Sequence, residues 1–161
     1  MTIELRTDGP LLERIECENK YYAMGLVNLY FSPRSGTWVG ASTNHVSFVE
    51  ISDASGLTKI GWQALRGLRS INTVILPATV NEVVDDALFQ MSPYVTLICK
   101  AKTPPSTNGQ VLFKKEMGYK LPYDYGTLYV PKGCAQTYMQ PTIQGIANDW
   151  SRFQNILELD Y

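Results

Sequence analysis

Apolar side chains along this chain follow two interleaved spacings. Short apolar or alternating runs occur at Phe48–Ile51, Val74–Leu76, Leu97–Cys99, Leu128–Val130 and Ile156–Leu159, and each reads as a brief β-strand. Between the early runs the spacing lengthens. Ile60, Ala64, Leu65 and Leu68 follow one another at intervals of four, one and three residues, a one-sided stripe that predicts a half-helix. Pro77, directly after the second run, marks a turn.

The two kinds of segment repeat together. Leu57, Ile60, Ala64, Leu65, Leu68 and Ile71 return as Val80, Val83, Ala87, Leu88, Met91 and Tyr94 at an offset of 23 residues, and Val74 and Leu76 stand at the same offset from Leu97 and Cys99. Thr79 or Asn81 offers an N-cap to the second half-helix, with Asp85 and Asp86 early in it, where acids suit the helix dipole. One such unit cannot bury its own apolar face, whereas stacked units can. A period of 23 residues lies within the roughly 20–29 residues of leucine-rich repeats. The expected fold is therefore an α/β leucine-rich-repeat solenoid, a short strand ladder with half-helices. The run at 48–51 supplies a strand one repeat earlier, and the run at 128–130 follows a unit with about eight additional residues.

The residues from Ile60-Gly61 through Ala64-Leu65, Leu68, Ile71, Val74-Ile75-Leu76-Pro77, Val80, Val83 and Ala87-Leu88-Phe89 resemble the BspA-like leucine-rich repeats of bacterial surface proteins. The tail continues the likeness through Thr103-Pro104-Pro105, Leu128-Tyr129-Val130-Pro131, Tyr138, Trp150, Phe153 and Ile156–Leu159. The likeness covers residues 46–161. It departs from the family pattern at Leu65 and Leu88, where an aromatic is usual, and at Gly67 and Gln90, where a cysteine is usual. The resemblance implies a cell-surface or secreted adhesion protein.

Outside the repeat, residues 1–45 hold short runs around Ile15, Tyr21–Phe31 and Thr37–Gly40, separated by Ser32-Pro33 and Ser35-Gly36. That punctuation predicts an N-terminal β-rich cap or the end of an upstream domain. At the other end, residues 133–139 predict a short helix. Asn148 or Asp149 begins a turn that sets Trp150 and Phe153 on one face, where they would plug the end of the core; alternatively Trp150 offers a sugar-stacking surface.

Composition narrows the function. The formal net charge is −1 and charged residues make up 18% of the chain, so no basic stripe for nucleic acid is expected. Cys17, Cys99 and Cys134 show no zinc-ligand spacing, and His45 is the only histidine, so neither a metal, a cofactor nor a catalytic triad is expected. The first nine residues carry two acids and no apolar stretch of a signal peptide, and no run approaches the length of a membrane span. The sequence points to a non-catalytic module that recognises a protein or glycan partner through the solenoid. A structural self-association or assembly protein, intracellular or of phage type, is the alternative.

Two surfaces carry that expectation. If Val49, Val74, Leu97, Leu128 and Leu157 face inward, alternation sends Glu50, Ile75, Ile98, Tyr129 and Glu158 outward, and an apolar centre of Ile75, Ile98 and Tyr129 suggests a contact site. The second surface is the insertion at 102–127, which presents Lys114, Lys115, Tyr119, Lys120, Tyr123 and Tyr125.

Overall fold

The structure is a computed structural model that describes residues 48–51, 53, 57–61 and 64–160. The expected N-terminal β-rich cap, Cys17 and His45 lie outside the described residues.

Nine strands are described: β1 (Phe48–Glu50), β2 (Lys59–Ile60), β3 (Thr73–Leu76), β4 (Glu82–Val83), β5 (Thr96–Cys99), β6 (Thr127–Pro131), β7 (Thr142–Ile143), β8 (Ile146–Ala147) and β9 (Ile156–Leu159). Five of them form one parallel sheet in the order β1-β3-β5-β6-β9. The 23-residue offset is a pairing register: Val74 lies opposite Leu97 and Leu76 opposite Cys99. It recurs in a second, two-stranded parallel ladder, where Lys59 lies opposite Glu82 and Ile60 opposite Val83.

Alternation sorts the strand residues as parallel pairing requires. Val49, Val74, Leu97 and Leu128 stand in register across four strands and each is fully buried. Leu57, Ile60, Leu65, Leu68, Ile71 and Val83 close the core from the other side. Two short helices, α1 (Pro122–Tyr125) and α2 (Ala135–Met139), and a 3-10 turn at Asp149–Arg152 complete the described elements. Trp150 is fully buried and packs edge-on against Tyr138 at 6.3 Å, so it fills the core and presents no stacking surface to solvent.

The expected leucine-rich-repeat solenoid with half-helices is not what forms. The structure is a small α/β domain built on one five-stranded parallel sheet. Residues 64–67 and 85–90 are turns, and Gly67, Asp85, Asp86 and Gln90 all have left-handed backbones with φ of 84°, 58°, 61° and 59°. Consecutive left-handed residues cannot continue a right-handed helix. The backbone finds partners sideways instead. Leu65 and Gly67 N–H donate to the Ala87 and Phe89 carbonyls, both at 2.8 Å, and Ser92 N–H donates to the Leu68 carbonyl at 2.9 Å. These lateral bonds occupy groups that a helix would have paired within itself. The same apolar spacing thus fills the core from turns. The regular interval also stops after two units, because the chain between β5 and β6 makes a long excursion.

The expected caps shift accordingly. The Thr79 hydroxyl donates to the Leu57 carbonyl at 2.6 Å, and Asp86 pairs with Lys114 at 2.9 Å. In β9 the register is one residue off expectation. Ile156, not Leu157, lies opposite Leu128 and is buried, while Leu157 is half exposed. Glu158 turns toward α2, where its carboxylate accepts the Ala135 N–H at 3.1 Å. Bonds from the Gly133 and Ala135 N–H groups hold that carboxyl below its ordinary range.

Gly126 is fixed by a close approach. A methyl there would stand 2.9 Å from both the Pro122 and Val95 carbonyl oxygens. Gly126→Ala is expected to cost about 1–3 kcal/mol in urea unfolding. Gly61→Ala, whose added carbon meets only the flexible Lys59 side chain at 3.7 Å, should cost far less.

Candidate functional site

The excursion from residue 100 to 126 carries most of the chemistry. A buried polar cluster helps pin it to the domain. Tyr123, in α1, donates its hydroxyl proton to Asp149 Oδ2 and accepts the Phe113 N–H at 3.0 Å. The same carboxylate oxygen accepts the Leu112 N–H at 2.6 Å, and Arg152 Nη1 lies 3.3 Å from Asp149 Oδ1. The Phe113, Tyr123 and Phe153 rings meet edge to face at 5.1–6.0 Å, a favoured aromatic geometry. Burial raises the Tyr123 pKa above its ordinary value, and the neighbouring Asp149 adds to the shift. Tyr123 is only 3% exposed. It was expected as a surface contact and instead anchors the excursion.

That anchoring creates a cleft of about 100 Å³. Its floor is apolar, formed by Phe89, Met91, Pro93, Phe113, Leu121 and Pro122, and its rim carries Arg69, Lys114, Glu116, Tyr119 and Lys120. The cations are held over aromatic rings. The Arg69 guanidinium stands 5.3 Å from the Tyr119 ring and donates to the Tyr119 hydroxyl at 2.7 Å. Lys120 donates to the Tyr94 hydroxyl at 3.0 Å and sits 4.8 Å from the Tyr125 ring. The Tyr94 bond raises the Lys120 pKa, which keeps the amine protonated. Lys114 lies over the Phe89 ring and is paired with Asp86. Among the described residues, neither Arg69 nor Lys120 has a carboxylate within ion-pair distance.

The expected contact residues therefore divide. Lys114 and Tyr119 line the cleft together with Lys120, whereas Lys115 is exposed outside it. Arg69 and Phe89 belong to the site although both lie outside the insertion, and nothing in the local sequence marks Arg69 as a partner of Tyr119. On the open sheet face, pairing aligns Glu50, Ile75, Ile98, Tyr129 and Leu157 in one row across all five strands. The expected row is thus present with Leu157 in the place assigned to Glu158. The first four are half-buried.

Among the described residues, no group of three or more His, Cys, Asp or Glu side chains is placed to hold a metal ion. Among them too, no helix is long and apolar enough to cross a membrane. Compared with protein-family models, with curated proteins and with solved structures, the chain finds no match.

Two buried groups set an alkaline limit on the fold. Burial pushes the Cys99 thiol from 9.0 up to about 11, against the smaller opposing effect of its hydrogen bond from Tyr138. Tyr123 is shifted in the same direction. Each group keeps its proton to higher pH in the folded chain than in the unfolded one. Their contribution is complete below about pH 9 and is lost as pH rises through the folded value. Stability should fall by on the order of 2 kcal/mol between about pH 9 and 11 from Cys99 alone, and Cys99→Ala should flatten that slope in unfolding curves. Tyr123→Phe should cost about 1–3 kcal/mol at neutral pH, because Asp149 keeps its burial and loses a donor.

Proposed function

We propose that this chain is a non-catalytic binding module whose cleft captures a protein segment bearing an apolar side chain next to a carboxylate. One observation carries the reading: two cations without carboxylate partners among the described residues flank an apolar floor. Arg69 and Lys120 are each held in place by a tyrosine hydroxyl. Groups positioned before binding lose less freedom when the partner arrives. The floor supplies burial for one side chain and the rim supplies charge complementarity, which governs specificity and the association rate. Glu116, on the same rim, disfavours a partner that is acidic on every side.

A second reading, structural self-association, draws on the row of Ile75, Ile98, Tyr129 and Leu157 on the open sheet face. Contiguous apolar strips on an exposed sheet favour contact with another surface.

The cleft reading is tested by selecting peptides from a random display library on the full chain. Enrichment of Asp or Glu beside Leu, Phe or Trp is expected, with affinity falling as salt rises. Charge reversal at Arg69→Glu with Lys120→Glu should weaken the selected peptides by about tenfold or more; undiminished binding would overturn the reading. For the sheet face, Ile75→Lys with Ile98→Lys should abolish any concentration-dependent assembly seen in sedimentation velocity, and assembly that persists in a folded variant would exclude that face.

A further inference from the structure

A second groove, of about 240 Å³, lies between residues 103–107 and the β7–β8 hairpin. Both walls are rigidly built. Trp150 Nε1 donates to the Pro105 carbonyl at 2.8 Å, and the Ser106 N–H and carbonyl bond Asn81 and Val83 of the preceding unit. The hairpin turns on Gln144 and Gly145, with φ of 50° and 78°, the left-handed pair that a tight two-residue hairpin needs. It is tied back through Asn148, whose amide donates to the Tyr138 and Gln140 carbonyls at 2.9 and 2.7 Å.

The lining chemistry is the opposite of that in the cationic cleft. None of the lining residues is titratable. Asn81, Thr103, Thr107, Gln144 and Asn148 bring amides and hydroxyls, while Pro104, Pro105, Ile143 and Ile146 bring apolar surface. The Thr107 hydroxyl is buried, the residue being only 2% exposed, and it has no hydrogen-bond partner among the described residues. A buried polar atom left unpaired is unfavourable, and Thr107 is one of the residues lining the groove. Asn148 commits both amide protons to carbonyls, so its oxygen remains as an acceptor.

We infer that this groove is a binding site for a neutral saccharide. Uncharged walls give an ionic ligand nothing to offset its desolvation. Several hydroxyl and amide groups set among proline and isoleucine faces match a ring that presents hydroxyls at its edge and C–H groups on its faces. The volume is that of several water molecules at roughly 30 Å³ each, which suits one pyranose unit with its neighbour in solvent. The site owes nothing to the cationic cleft and stands or falls separately from it.

The test is a titration of the isotope-labelled full chain with glucose, galactose, mannose and N-acetylglucosamine, followed by amide chemical shifts. Saturable millimolar shifts confined to residues 103–107 and 143–148 are expected for at least one sugar, and they should be unchanged by high salt. Thr107→Val keeps the side-chain shape and removes only an unpaired hydroxyl, so the fold should be retained while affinity drops about fivefold. Gln144→Ala, at the exposed hairpin tip, should weaken binding by a similar factor without touching the core. The inference is overturned by the absence of saturable shifts with all four sugars. It is equally overturned by shifts that survive both substitutions, or by saturation of this groove with a peptide and not with a sugar.

Discussion

Parallel pairing between strands 23 residues apart sets the terms for everything else in this domain. A parallel neighbour can be reached only after the chain has returned to the same end of the sheet, and here β3 returns to β5 in the fewest residues. No helix is described in that span. The return segments instead bond one another edge to edge, through Val84 N–H to the Ile60 carbonyl at 3.0 Å and through the Leu65–Ala87 and Gly67–Phe89 pairs. The strand ladder and the return ladder therefore keep the same register. A slip in one would break the other and turn Val74 and Leu97 away from the core.

The longer excursion between β5 and β6 uses that device only near its start, where the Ser106 N–H donates to the Asn81 carbonyl and the Ser106 carbonyl accepts the Val83 N–H. A buried carboxylate takes over. Asp149 collects the Tyr123 hydroxyl and the Leu112 N–H, and both lie in or beside the excursion. Trp150, one residue further on, fixes Pro105 at the excursion's start. A single 3-10 turn thus holds one wall of each groove. Arg152 lies over the Tyr123 ring at 4.1 Å and also meets the Asp149 carboxylate, so the buried charge is not left alone.

Much of the sheet was legible in the sequence because alternation and a repeated interval are direct consequences of strand geometry. The five main strands fall where Val49, Val74, Leu97, Leu128 and Ile156 mark them. The return segments were not legible. Ile60, Ala64, Leu65 and Leu68 bury one side of a turn as well as one side of a helix, and the deciding left-handed backbones at Asp85, Asp86 and Gln90 are not at glycines. The last strand failed by one residue, since Ile156 and Leu157 are interchangeable by hydropathy and only pairing chooses between them. Of the candidate site, Lys114 and Tyr119 were visible in a loop rich in tyrosine and lysine. Tyr123 was misjudged for the same reason: nothing near it announces a carboxylate 26 positions away.

The binding role proposed for the domain does not rest on its composition. With a net charge of −1, the chain has no general attraction for anions, so the cationic rim depends on where Arg69 and Lys120 are placed. Placement in turn depends on tyrosines drawn from different segments, Tyr119 for Arg69 and Tyr94 for Lys120. A ring beneath a cation and a hydroxyl beside it hold the charge without neutralising it, which a carboxylate partner would do. Lys114 shows the contrast, because Asp86 already satisfies it. On the proposed reading the rim would discriminate among partners by geometry, and that geometry holds only while Asp149 and Tyr123 keep the excursion in place.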